Sequence, residues 1–310
     1  MHEGTLRGKI DQVLTSAWWR TTQRLSVQVY DELFRTRAFS MAAAMSYYFL
    51  LALLPLLIFF SALVGYLPIP NLLDQLLDTL AMIVPPQAMQ MVQGLLGSLL
   101  TPHRGGLLSF GLLGYLWTAS GGFVALIESL DVAYDVEKER SWWRNRLQGL
   151  LLTLTTGGLL LLGMLLIIAG PRFGHLMTIL FPLPVLVGEV WPAFRVVTIF
   201  ILFVSAVVLQ YLLGPNRKQE LRPNLPGALV AVSSIFVVSA GMGYYFSHLS
   251  NYDRTYGGLG AVIILMLWFY AVALAFLAGA ELNAELLKAK ALQPEPLSHE
   301  QIAATGAPAA

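Results

Sequence analysis

The chain has 310 residues, of which 56% are hydrophobic and only 12% charged, with a mean hydropathy of +0.66. Soluble domains carry about 25% charged residues, so a water-soluble fold is excluded, and a net charge of +1 points to no acidic partner. The lack of cysteine removes disulfides, thiolate nucleophiles and cysteine metal sites without fixing a compartment.

Residues 1–37 are polar and mixed in charge, so they read as a cytoplasmic arm and not as a cleavable signal. Within the arm Ile10, Val13, Leu14, Ala17, Trp18, Thr21 and Leu25 recur at helical spacing, with arginines elsewhere on the wheel. That pattern suits an amphipathic helix lying on the cytoplasmic leaflet.

A spanning helix needs roughly 20 apolar residues. Six segments qualify: Phe39–Leu67, Leu107–Ile127, Leu147–Ile168, Ala193–Leu213, Gly227–Leu249 and Leu259–Ala280. The expected fold class is therefore all-α, a polytopic transmembrane bundle with about six spans occupying 38–288. Between the first two spans, residues 71–101 read as external amphipathic helices. Leu72, Leu73, Leu76, Leu77 and Leu80 form one apolar face, Pro85-Pro86 breaks the chain, and Met89 to Leu100 resumes a helical pattern. These helices either rest on the outer face of the bundle or form a lid over a cavity. Residues 289–310, rich in Ala, Pro, Gln and Glu, are expected to be a disordered cytoplasmic tail.

Charge bias orients the spans. The arm, the second and fourth loops and the tail carry fifteen Lys and Arg residues, against Arg104, Arg172, Arg195 and Arg254 on the other side. The positive-inside rule then places both termini in the cytoplasm. Trp-Trp-Arg occurs at Trp18–Arg20 and Trp142–Arg144, both on the cytoplasmic interface. An aromatic belt with basic anchors explains the repeat; a specific lipid-headgroup site is the alternative.

Polar groups inside a membrane are costly and each raises a functional question. Pro55 breaks the backbone ladder of the first span, and Ser120-Gly121-Gly122 gives the second a flexible or closely packed middle. Glu128 and Glu281 each lie about 32–33 Å along their spans at about 1.5 Å per residue, so the two carboxylates reach similar depth at the cytoplasmic edge. A carboxylate at a helix C-terminus opposes the macrodipole. Either the helices continue and the glutamates pair with Arg37, Arg144 or Arg146, or the carboxylates line a polar notch for a cation, a proton or a headgroup. The candidate polar cavity comprises Glu128, Glu281, Ser120, Tyr47, Gln210 and Asn283. A transporter would hold it open to one side, and a scaffold would fill it solid. Ala271, Ala275 and Gly279, four apart, form a ladder that admits a neighbouring helix closely.

Little points to an enzyme. The histidines His2, His103, His175, His248 and His299 are scattered and lack partners at metal-ligand spacing, and no nucleophile elbow occurs. No catalytic, cofactor or metal residue is assigned, and no clustered basic and aromatic surface suggests nucleic acid.

Four blocks carry a resemblance: AAAMSYYFLLALLPLL, the Trp117 to Val136 run ending ESLDVAYDV, PNLPGA at the start of the fifth span, and YGGLGAVIILMLWFYAVALAFLAGAELNAEL. Together they resemble the YihY/BrkB family of bacterial inner-membrane proteins, over most of Phe39–Leu286. The resemblance implies a six-span protein of a Gram-negative envelope. An old family label, ribonuclease BN, is regarded as a misassignment, and this sequence lacks the histidine and aspartate motif of a zinc ribonuclease. Other members are described as serum-resistance or virulence-associated proteins, some linked to export of lipid or lipopolysaccharide precursors. The expected function is transport or flipping of a lipid-like amphipathic molecule, with a non-transporting envelope scaffold as the rival. Expected partners are membrane lipids and a lipid or lipopolysaccharide precursor, and a homo-oligomer is compatible with the sequence.

Overall fold

The computed structural model describes residues 23–66, isolated positions between 74 and 94, and residues 105–137, 140–180, 190–248 and 258–291. Six long helices follow one another: α1 Ala38–Tyr66, α2 Gly105–Ala133, α3 Trp142–Leu180, α4 Trp191–Leu213, α5 Leu221–His248 and α6 Gly258–Ala291. Among the described residues there is no strand. All six helices contain a stretch long and apolar enough to cross a membrane. Helices are the form such sequences must take there, because lipid offers no partner to a free N–H or C=O. Their outward faces are apolar; Phe110 and Val237, for example, are 70% and 71% exposed. The protein is a multi-pass membrane protein.

The helices are arranged as a ring in chain order. Each packs on its neighbours in sequence, α6 closes the ring against α1, and α6 also leans across to touch α2. Small residues set the closest approaches. Gly121 and Gly122 of α2 receive the rings of Tyr48 and Phe49 of α1, while Gly149 of α3 sits over the Ser120 carbonyl. The tightest crossing joins α5 and α6, where Gly227 and Gly279 abut backbone to backbone and Ala231 lies beside them. Of the ladder at Ala271, Ala275 and Gly279, it is Gly279 that serves this close packing.

Among the described residues the largest core lies at one end of the ring. It joins Ala38, Ala42 and Met45 of α1, Leu126 and Leu130 of α2, Val207 and Tyr211 of α4, Ala228 and Val232 of α5, and Leu277, Ala280 and Ala284 of α6. This end also carries the α2–α3 and α4–α5 connections, which hold Arg140, Arg217 and Lys218. It is called the basic end below. Two smaller clusters among the described residues set Met89 and Val92 on Leu57 and Trp268 beside Leu265.

A further helix, 23–35, leads into α1. Val27, Tyr30 and Phe34 lie on one face of it and are 56–59% exposed, as an interfacial helix requires. The apolar stripe from Ile10 to Thr21 lies outside the described residues, as do most of 71–101 and the tail after Leu292. The chain turns into α1 through Arg37, which has a positive φ of 56°. Asp135, at φ 51°, closes α2 in the same way, with Val136 N–H donating to the Asp131 carbonyl and Asp135 N–H to that of Val132. This is the left-handed cap that glycine usually supplies.

Two helices run further than their apolar content predicts. α3 continues past Ile168 through Gly170-Pro171 to Leu180, and α6 continues past Ala280 to Ala291. At about 1.5 Å per residue α6 is roughly 51 Å long, well beyond the hydrocarbon thickness of about 30 Å. The lysines its carbonyl end prefers are present, as Lys288 and Lys290 in the last turn.

Candidate functional site

Polar side chains gather at the basic end from elements far apart in sequence. The lead-in helix supplies Glu32, Arg35 and Thr36, the end of α2 supplies Tyr134 and Asp135, the start of α5 supplies Asn224, and α6 supplies Glu281, Asn283, Glu285 and Lys288. Lys288 is the hub: its ammonium lies 2.8 Å from Glu32, 3.0 Å from Asp135 and 3.0 Å from Glu285. Arg35 completes the network, bonding Glu32 and lying 3.1 Å from Asp135. The Arg35 guanidinium, opposed by burial and helped by Lys288, holds the Glu32 carboxyl down at about 2. Burial alone would raise Asp135, but Lys288 and Arg35 together outweigh it and hold that carboxyl below its ordinary range.

Beneath this network lies a buried layer. Glu281 is 1% exposed, its Oε1 accepts from the Thr36 hydroxyl at 2.8 Å, and its Oε2 has no partner. Asn283, fully buried, reaches from α6 to the start of α5. Its Oδ1 accepts from the Gly227 N–H at 2.7 Å and its Nδ2 donates to the Asn224 carbonyl at 3.1 Å. Pro223 and Pro226 remove two backbone donors from that turn, and the asparagine bridges the turn from outside. Asn224 is itself fully buried, accepting from the Tyr134 hydroxyl at 2.7 Å and donating to the Glu220 carbonyl at 2.8 Å. On α4, the Tyr211 hydroxyl donates to the Phe276 carbonyl at 2.6 Å. Apart from the local Asn224–Glu220 bond, each of these ties one helical segment to another, so this layer locks the ring shut.

The six candidates for a polar cavity do not share one. Glu281 and Asn283 belong to the locked layer. Ser120 is fully buried and donates to its own helix at the Trp117 carbonyl, 2.8 Å away. Gln210 is 7% exposed. Tyr47 is 51% exposed on the outside of α1, and Glu128 is exposed on the outside of α2. Glu128 and Glu281 were matched by depth, but depth along a helix does not fix which way a side chain faces. The arginine partners expected for Glu281 are replaced by Thr36. Arg146 instead donates to the Trp117 carbonyl and lies 4.2 Å over the Trp117 ring.

Two cavities lie on either side of the locked layer. Toward the middle of the ring is an apolar chamber of about 380 Å³ lined by all six helices, among them Phe49, Phe123, Phe203, Phe236 and Phe276. Its few polar groups are Tyr115, Thr156 and Gln210, with the edge of Trp268, whose indole donates to Ser239 at 3.0 Å. At the basic end a cleft of about 730 Å³ is lined by Tyr134, Asp135, Arg217, Lys218, Gln219, Glu220, Lys288 and Lys290. Along α2 and the turn that follows it, the chamber lining ends at Leu126 and the cleft lining begins at Tyr134; on α6 the limits are Phe276 and Ala284. Leu130, Tyr211 and Ala280, which stand between, are 0% exposed. Among the described residues no group of three or more His, Cys, Asp or Glu side chains is placed to hold a metal ion.

Sequence reasoning passed over Thr36, Tyr134, Asn224 and Lys288. Asn224 did leave a signal, as a lone amide flanked by Pro223 and Pro226 at the head of an apolar run. Three of the four blocks that carried the resemblance, ESLDVAYDV, PNLPGA and AGAELNAEL, meet at this layer.

A family model described as virulence factor BrkB matches residues 29–302. The chain is 37% identical over 262 residues to a ribonuclease-like protein, YfkH, of Bacillus subtilis, covering 84% of this chain and 94% of that protein. It is 39% identical over 105 residues to a UPF0761 membrane protein of Xanthomonas campestris, covering 34% of this chain and 24% of the relative. A UPF0761 membrane protein of Xanthomonas oryzae matches at 41% identity over 91 residues, 29% of this chain and 21% of its own. No solved structure matches.

Proposed function

Because the chain belongs to the BrkB family of membrane proteins, we propose that it carries an amphipathic, lipid-like molecule across the bacterial inner membrane. One observation supports this above all: the apolar chamber lined by all six helices. Its volume of about 380 Å³ falls at the lower end of the range for ligand pockets, about 300–1,000 Å³, and its lining of aromatic and aliphatic side chains with a few convergent polar groups is the usual make-up of one. An alkyl chain would occupy it, with Gln210 and Thr156 facing the start of the polar part. The locked layer below would then be the inner gate, opening by separation of α5 from α6. No nucleotide-binding motif occurs in the sequence, so movement would be downhill or coupled to an ion. No bond is made or broken in this reading, which makes the protein a carrier and not an enzyme.

The charge bias orients the carrier. With fifteen basic residues on the side of the arm and tail, both termini and the basic cleft would face the cytoplasm. Fusions of a periplasm-active reporter to each terminus should be silent.

The scaffold reading draws on a specific observation too, since Glu281, Asn283 and Ser120 are packed solid. Reconstitution separates the two. Proteoliposomes holding fluorescent phospholipid are treated with dithionite, which bleaches only the outer leaflet. Protein-dependent bleaching beyond half the signal supports the carrier. No acceleration over empty vesicles, with neutral and anionic lipids alike, would leave only the scaffold.

A further inference from the structure

The cleft at the basic end holds more cationic charge than its neighbours use. Lys288 is consumed by Glu32, Asp135 and Glu285. Arg217, Lys218 and Lys290 line the same cleft, and among the described residues none of the three lies within salt-bridge distance of a carboxylate. Among the described lining residues, Glu220 is the one carboxylate that the Lys288 and Arg35 network does not engage. Gln219 lines the same cleft. Its Oε1 is the distant acceptor of an Asn224 N–H at 3.5 Å, while its Nε2 is buried with no acceptor. A buried donor without a partner is costly, and unused donors in a native structure ask for an explanation. Three unpaired cations and an orphan donor in the lining of one cleft call for an acceptor that is anionic, has several oxygens and comes from outside the chain.

We infer that this cleft binds a phosphate group, with Arg217, Lys218 and Lys290 neutralising its charge and Gln219 Nε2 donating to one of its oxygens. Arginine and lysine are the usual phosphate partners, the first as a two-pronged donor and the second as a point charge. The inference rests on the carrier reading for its role, since it assigns the charge class of the polar end that the apolar chamber cannot hold, but the binding is testable without any flux. A phosphate at this place has two sources, the headgroup of an anionic phospholipid or a free phosphate in solution, and the same side chains would take either.

Two measurements on the full-length protein separate them. In the first, protein in nanodiscs of mixed phosphatidylcholine and phosphatidylglycerol is released into native mass spectrometry, and the retained lipids are counted. In the second, delipidated protein in detergent is titrated calorimetrically with inorganic phosphate. The triple variant Arg217→Ala/Lys218→Ala/Lys290→Ala alters exposed side chains and keeps the locked layer, so its thermal stability should match the wild type. At about 1 kcal/mol for each basic residue near an anionic surface, it should bind on the order of a hundredfold more weakly. Gln219→Leu keeps every charge and should weaken binding several-fold, which diffuse attraction would not produce. Selective retention of phosphatidylglycerol, lost in the triple variant and reduced in Gln219→Leu, identifies a headgroup site; saturable phosphate binding that changes in the same way identifies a soluble ligand. Equal binding of both probes by wild type and triple variant overturns the inference, as does a Gln219→Leu protein indistinguishable from wild type. Either result leaves the flux measurement of the carrier reading standing.

Discussion

Thr36 and Glu281, 245 residues apart, meet at 2.8 Å through the threonine hydroxyl and the carboxylate Oε1. The same hydroxyl lies 2.8 Å from the carbonyl oxygen of Glu32. One hydroxyl proton therefore faces two acceptors, and the second carboxylate oxygen, Oε2, is buried with no partner. The contact fixes the lead-in helix to α6, but with one donor too few.

Glu281→Gln supplies that donor. Its amide nitrogen can donate to Thr36 while Thr36 donates to Glu32. The variant is expected to fold and to equal or exceed the wild type in thermal stability by about 1–3 kcal/mol. Thr36→Val strands Glu281 Oε1, while the Glu32 carbonyl keeps the Thr36 N–H, and should lose about 1–3 kcal/mol. Thermal unfolding in detergent, followed by tryptophan fluorescence, reads both. A strongly destabilised Glu281→Gln protein would mean that the carboxylate has a cationic partner the geometry lacks. A stable Glu281→Gln protein that moves no lipid would assign Glu281 to transport.

The crossing of α5 and α6 makes a steric prediction. A methyl on Gly279 would meet the Tyr211 hydroxyl at 2.6 Å, Ala231 at 2.9 Å and the Gly227 carbonyl. Rigid backbone on one side leaves little room to yield, so Gly279→Ala should cost about 1–3 kcal/mol. Gly158→Ala on α3 meets nothing within 4 Å and should cost nothing. Monodisperse yield on size exclusion and melting temperature report the difference. Equal behaviour of the two variants would contradict the close crossing.

Most of this architecture could be read from residue order, and the parts that could not share a physical cause. Hydropathy located all six spans because lipid selects helices by length and apolarity alone. It missed the extension of α3 through Gly170-Pro171 because that dipeptide reads as a stop, and it counted depth for Glu128 and Glu281 without the helical azimuth. At 3.6 residues per turn, equal depth leaves direction open, and one glutamate faces out while the other is sealed in. The pairs Glu32–Arg35 and Glu285–Lys288 were visible as i, i+3 spacings. Their joining through Asp135 was not, because it depends on two left-handed residues, Arg37 and Asp135, that are not glycine.

That joined network predicts a pH response. Glu32 is held at about 2, below its ordinary value of 4.5, chiefly by Arg35. Its ionised form is thus favoured by folding at every pH above 4.5, and the advantage is lost as pH falls through about 2. The melting temperature of the wild type should exceed that of Glu32→Gln by a constant margin at neutral pH. The margin should narrow below 4.5 and vanish near 2. Added salt should also shrink it, because Lys288 and Asp135 are 39% and 48% exposed. A margin that persists in acid would place the effect in packing, not charge.

The chamber itself can be filled. Ala206 of α4 lines it and is 2% exposed, so Ala206→Phe would project a ring into empty volume beside Phe203 and Phe236 and away from the locked layer. Overpacking a full core costs stability, but here the space is present, and the melting temperature should hold within a few degrees. Val237→Phe places the same ring on the outer face of α5, where Val237 is 71% exposed, and serves as the match for size and apolarity. If lipid-like molecules pass through the ring, Ala206→Phe should abolish protein-dependent bleaching in proteoliposomes while Val237→Phe keeps it. Phosphate binding at the basic cleft should be the same in both, because Leu130, Tyr211 and Ala280 separate the two spaces. Full flux through the filled chamber would move the path to the outer surface, where Arg146 stacked on Trp117 offers a headgroup a cation inside the apolar belt.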